Sequence, residues 1–304
     1  MWPRRFTGLA PRPTDCNFHP MFAGLNDRAW LWIAAGFYLA GFVLGTFSIL
    51  RGGRPSGAAM YVLIAVGYVL QLVGLGLRGR AVGGCPLGNN LEIYQFTAWS
   101  AITLYLVIGV TFRTSLLGYF TSCLAATLTL VSLAIPAWDP ALRLHIFGGN
   151  PWIELHAALA VFSYGVFGLL ALTSIMFLAR NHSLKSKNLG GWVSFLPAII
   201  DLDHIGVRLL GMGVAILATS LAVASAYWLR DTASANSLKI FCTVAVWAAY
   251  AITLGLRLGG RLLARRFALT CLLIFPLALL SLEVVNSRRP LVAPHAPLSG
   301  AAKR

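Results

Sequence analysis

Eight apolar runs separated by short polar stretches organise this chain. They fall at about 28–50, 57–77, 92–112, 115–135, 154–179, 205–229, 238–256 and 267–285. A helix of about 20 residues rises ~30 Å, the thickness of the hydrocarbon core of a bilayer. In hydrocarbon every backbone N–H and C=O must pair within the protein, so runs of this length are read as helices rather than strands. The pattern predicts an all-α integral membrane protein, a bundle of about eight transmembrane helices spanning residues 28–285. A polar, proline-bearing leader occupies 1–27 and a short tail 286–304. No inserted soluble domain is expected, because no loop exceeds about 25 residues.

Composition agrees. The 304 residues are 58% hydrophobic and 11% charged, whereas a soluble domain carries about 25% charged residues. The net charge of +15 would suit a nucleic-acid binder. That class is excluded, since the basic residues sit mostly in short loops, where positive charge sets topology. The loops after runs 1, 3, 5 and 7 carry ten Lys and Arg, against five in the loops after runs 2, 4 and 6. The first set is therefore expected in the cytoplasm, with both termini, His145, His156 and Asp231 on the outer side. The five cysteines are scattered with no CxxC pair, which argues against thiol redox or zinc chemistry.

The candidate chemistry gathers around NPWIELHAALAVFSYGVFGLLA, residues 150–171. Pro151, Trp152 and Glu154 open it, and His156 follows at the lip of a span. A histidine there can ligate a metal or haem, or can be a satisfied interfacial residue. Upstream, CPLGNNLEIYQFTAW (85–99) places Asn89, Asn90 and Glu92 before a span. Glu92 there suits the positive end of a helix dipole. Trp138, Asp139, Arg143 and His145 lie between runs 4 and 5. Asp201, Asp203 and His204 precede run 6 as candidate caps, and Arg208 is expected to pair with Asp203 or Asp201. Glu283 is an acid expected at membrane depth near the end of run 8.

The order of these features, from about Cys85 to His295, resembles the cytochrome c assembly membrane family, the CcsA/HemX-like haem-handling proteins. CPLGNNLEIYQFTAW is similar to the family's Pro, Asn, Glu and Trp lead into a span. PWIELHAALAVFSY resembles its "W…H…SY" helix and puts His156 on the family's outer haem-ligand histidine. DLDHIGVRLLGMGVAIL resembles a third family helix through Asp203, Arg208 and Gly213. The chain also departs from the family's tryptophan-rich signature, roughly WGxYWxWDPKE. Tyr227, Trp228 and Asp231 fit it, but Ala224 and Arg230 stand where tryptophans would. Gly255 occupies the position of a late span-7 histidine. Asn286 and His295 can supply the second outer histidine, with about two extra residues between them.

The resemblance implies a function. A haem b at the outer face would take His156 and His295 as axial ligands. Tyr227, Trp228 and Trp152, together with Trp138, would give stacking surface, and Asp231 would stand in the cradle. Arg230, Arg143 or Lys239 would pair with the propionates. Partners would be haem, apocytochrome c and a second membrane subunit of the synthesis system, in the bacterial inner membrane. Enzymatic activity would then belong to a haem lyase or synthase complex. The degenerate signature leaves a second possibility, a HemX-like regulator or scaffold that has lost haem chemistry. A small transporter using Glu283 and Arg208 is the third class, but no inverted repeat accompanies it.

Overall fold

The computed structural model describes residues 26–53, 56–112, 115–139, 150–187, 196–228 and 237–287. Eight helices follow one another: α1 (Asp27–Leu50), α2 (Gly57–Val82), α3 (Asn90–Phe112), α4 (Ser115–Ala134), α5 (Pro151–Lys185), α6 (Ile199–Trp228), α7 (Ser237–Leu258) and α8 (Ala264–Ser287). A 3-10 turn at Pro136–Trp138 follows α4, and no strand occurs among the described residues. Each apolar run becomes one helix. The ends differ where polar residues prolong a helix beyond its apolar part. α2 continues to Val82, so Arg78 and Arg80 lie within it rather than in a loop. It stops where Gly83 takes a left-handed conformation (φ 70°), which a residue with a Cβ adopts only at a cost. α6 begins at Ile199, which places Asp201, Asp203 and His204 inside the helix instead of ahead of it.

Among the described residues, seven helices are long and apolar enough to cross a membrane, and the whole is a helical membrane bundle. The first half of α3 carries the polar residues Asn90, Glu92, Gln95, Thr97 and Ser100. α3 is packed between α2, α4 and α5, and of those polar residues all but Asn90 are buried. A helix sheathed by other helices can hold polar groups that a lipid-facing one cannot. α5 is the other enclosed helix: residues 163–174 are buried without interruption. The two central helices meet where Gly165 of α5 faces Ser100 and Ala101 of α3, too close for any Cβ. Small residues at helix crossings are the usual device for close approach in membranes.

The short connections alternate helix direction, so two ends of the bundle can be told apart. The starts of α1, α3 and α5 and the ends of α2, α4 and α6 share one, referred to below as the His156 end. The start of α6 and the end of α7 share the other, the Asp203 end.

Candidate functional site

α5 is positioned for chemistry by its first turn. Asn150 caps it, its Oδ1 accepting from the backbone N–H of Trp152 at 3.0 Å, and Pro151 occupies a position that has no need of an N–H. Glu154 lies against Gly84 of the α2–α3 connection, where a Cβ would come within 2.6 Å of its Oε1. That close approach seats the start of α5 beside the end of α2. Trp152 is 64% exposed.

His156 is half-buried between α5 and α6. Its Nδ1 lies 2.8 Å from the carbonyl oxygen of Ser220 and 2.8 Å from the Ser220 hydroxyl. That hydroxyl donates to the carbonyl of His156 at 2.8 Å. A carbonyl only accepts, so Nδ1 carries the ring hydrogen. The neutral imidazole then has its basic lone pair at Nε2. A backbone carbonyl on one ring nitrogen that directs the other toward a metal is the usual arrangement around a ligating histidine.

The other expected site residues divide by place. Tyr227 and Trp228 stand at the end of α6, about two turns beyond Ser220, and hence at the His156 end. Asp231, His295, Arg143, His145 and Arg230 lie outside the described residues, as do the side chains of Lys239 and Glu283. Trp138 stacks on Tyr94 of α3, with ring centroids 4.6 Å apart. One face of that ring is therefore already covered. Arg208 does not pair with Asp203 or Asp201. Arg257 of α7 takes the Asp203 carboxylate and also donates to Leu262 O at 2.8 Å.

A charged cluster at the same end was not read from the sequence. Arg78, 2% exposed, donates through Nε to Glu92 at 2.8 Å and through one terminal nitrogen to Asp27 at 3.1 Å. Its other terminal nitrogen pairs with Asp139. Glu92 also accepts from Gly88 N at 2.6 Å, and its own N–H is capped by Asn89 Oδ1 at 2.9 Å. Arg28 reaches Asp139 at 3.4 Å. One guanidinium thus ties α1, α2, α3 and the segment after α4. Buried charges are tolerated when paired and hydrogen-bonded like this. The signal available in the sequence was Arg78 itself, once α2 is allowed to run to Gly83.

Deeper in α1–α4 a second network links the helices. Tyr38 donates to Gln71 Oε1 at 2.9 Å, Gln71 donates to Gln95 Oε1 at 2.7 Å, and Gln95 donates to Ser132 at 2.9 Å. Gly67 makes room for the Tyr38 ring. Each amide has its donors and acceptor used, which is what buried polar groups require. Both networks hold helices together. His156, by contrast, packs α5 on α6 with its ring tautomer set by the Ser220 carbonyl.

The sequence profile of the Cytochrome C assembly protein family matches residues 87–289. The chain belongs to this family. It is 26% identical over 214 residues to Protein HemX of Bacillus subtilis (strain 168), covering 69% of this chain and 76% of that one. Protein HemX of Brevibacillus brevis is 25% identical over 200 residues, 66% of this chain and 73% of its own. Cytochrome c biogenesis protein CcsA of Microcystis aeruginosa (strain NIES-843 / IAM M-2473) is 26% identical over 172 residues, and the match spans about half of each chain, 53% and 49%. The family match begins just ahead of α3, so α1 and α2 precede it. The Arg78 cluster is therefore the joint that ties those two helices to the family region, through Glu92 and Asp139.

Proposed function

We propose that the chain is a haem-handling membrane protein of cytochrome c biogenesis, in the bacterial inner membrane, holding haem at its outer face for delivery or attachment to apocytochrome c. The observation that carries this reading is the His156–Ser220 pairing. It fixes the ring tautomer with the lone pair at Nε2, as an iron ligand needs. The donor set fits: a neutral, partly buried imidazole at one end of the bundle, with exposed Trp152 one turn before it. His156 and His295 would hold the iron of a haem b, and Trp152, Tyr227, Trp228 and Asp231 would border it. When bound, haem supplies the vinyl groups to which the cysteine thiols of an apocytochrome are joined. The chain's own part is to hold, orient and shield. Attachment would be the work of a lyase or synthase complex with a second membrane subunit.

A HemX-like regulator or scaffold without haem chemistry is the second reading, and Gly255 favours it. Where synthases of the family place a histidine, a Cβ on this glycine would meet nothing within 4 Å. The optical spectrum of the detergent-purified protein, oxidised and reduced, decides between the two. A low-spin haem signal lost in His156→Ala and His295→Ala is the expected result. No haem after haem supplementation leaves the regulator or scaffold.

A further inference from the structure

At the Asp203 end, α6 and α7 border a cleft of about 430 Å3 lined by Asp203, His204, Val207, Arg208, Arg257 and Leu258. Arg257 is held by Asp203 and by the Leu262 carbonyl. Arg208 is exposed, and among the described residues it has no acid or carbonyl partner. A cationic cleft with one arginine fixed and one available is suited to a phosphate, which guanidinium groups bind with directional hydrogen bonds. Asp203 borders the same cleft, and no donor among the described residues reaches its buried Oδ1. A phosphate ester that also carries a hydroxyl matches both features.

Beside the cleft, two glycines leave open space that can serve as a slot. Gly211 lies three residues beyond Arg208 on α6, and Gly255 three residues before Leu258 on α7, so by helical spacing each is on the cleft-facing side. A Cβ built on either glycine meets nothing within 4 Å. Exposed Met212 adjoins Gly211, and exposed Ile252 lies one turn deeper than Gly255. Leu258, 72% exposed, stands at the mouth. Arg261, Arg265 and Arg266 follow at the surface of the same end. Basic residues concentrated at one end of a bundle are drawn to an anionic leaflet.

We propose that this cleft binds an anionic phospholipid, with its phosphate on Arg208 and Arg257, a headgroup hydroxyl on Asp203, and an acyl chain in the slot in front of Gly211 and Gly255. The site is separate from the haem reading, because it lies at the opposite end of the bundle.

The test uses the full chain, purified and delipidated in detergent, and titrated with dioctanoyl phosphatidylglycerol, dioctanoyl phosphatidylcholine or inorganic phosphate, with binding read by native mass spectrometry. Phosphatidylglycerol is expected to bind at least tenfold tighter than phosphatidylcholine. Arg208→Gln is expected to weaken it about fivefold, the effect of one basic residue at an anionic surface. Gly255→Leu, which fills the slot, weakens phosphatidylglycerol further. Arg208 makes no pairing among the described residues, so the variant's melting temperature serves as the folding control. Equal binding of inorganic phosphate overturns the lipid source in favour of a water-borne phosphate. Unchanged phosphatidylglycerol binding in both folded variants overturns the site itself.

Discussion

Arg78 of α2 and Glu92 of α3 form a buried ion pair, Nε to Oε1 at 2.8 Å, with both side chains 2% exposed. The pair sits where the two leading helices join the region matched by the family. Removing the guanidinium strands Glu92, Asp139 and Asp27 around an empty centre. Breaking a buried pair from one side costs about 3–5 kcal/mol, whereas replacing both partners by apolar groups of similar size is often neutral. Arg78→Met is therefore expected to lower the melting temperature in detergent sharply. The double variant Arg78→Met, Glu92→Leu is expected to recover part of the loss, because two acids remain instead of three. A melt for Arg78→Met that overlays the wild type would show that the cluster does not hold α1 and α2 in place.

Cys85 lies in the connection between α2 and α3, half-buried. Burial, then the charges of Glu154 and Glu92, push its thiol up to about 11 from an ordinary 9.0. The thiolate is the species that reacts with a maleimide. With Cys85 as the sole remaining cysteine, labelling at pH 8 is expected to run about 100-fold slower than for an unperturbed thiol, since two units of pKa are a hundredfold in thiolate. The rate should keep rising about tenfold per pH unit up to about pH 11. Glu154→Gln removes one of the raising charges and should speed labelling at pH 8. A rate that levels off by pH 9 would contradict the shift.

The bundle was legible in the sequence because the bilayer imposes one strong rule, long apolar helices, and the chain obeys it eight times. What was hidden depends on contacts between distant residues. Arg78 reads as an ordinary loop arginine until α2 is extended by five residues, and nothing local says that Asp27 and Asp139 converge on it. Arg208 and Arg257 both stand near Asp203, and only the crossing of α6 and α7 decides that Arg257 takes the carboxylate. His156 was singled out by its place at a span lip. Its partner Ser220, 64 residues later, was not, since serines in membrane helices are common and most bond within their own helix.

Two glycines separate crowding from open space. At Gly165 a Cβ would lie 2.0 Å from Ser100 Oγ and 2.7 Å from the backbone nitrogen of Ala101. The hydroxyl could turn aside, but the backbone cannot, so Gly165→Ala must push α3 and α5 apart. Overpacking of this kind costs about 1–3 kcal/mol, and Ser100→Ala should not rescue it. Gly255→Ala meets nothing within 4 Å and gains the helix propensity of alanine, about 1 kcal/mol. Thermal melts in one detergent should therefore move in opposite directions for the two variants. Equal destabilisation would refute the close approach of α3 and α5 as described.

His156 can be tested as a ligand apart from its role in packing α5 on α6. His156→Ala removes both the ring and its bond to Ser220, so loss of haem in that variant alone does not separate a ligand from a structural residue. His156→Gln keeps an amide donor that can reach the Ser220 carbonyl, while a carboxamide is a poor axial ligand for iron. Ser220→Ala does the reverse. It keeps the backbone carbonyl that fixes the ring tautomer and deletes the hydroxyl, with its bond to the His156 carbonyl and its contact with Nδ1, a loss of about 0.6 kcal/mol per interhelical bond in a membrane. If His156 ligates haem, His156→Gln is expected to melt near the wild type yet lack the low-spin spectrum, and Ser220→Ala to keep that spectrum with a slightly lower melting temperature. If the histidine only packs the helices, His156→Gln leaves the spectrum unchanged. The pairing with Ser220 then reads as an interhelical hydrogen bond, and the ligand must be sought elsewhere at the same end of the bundle.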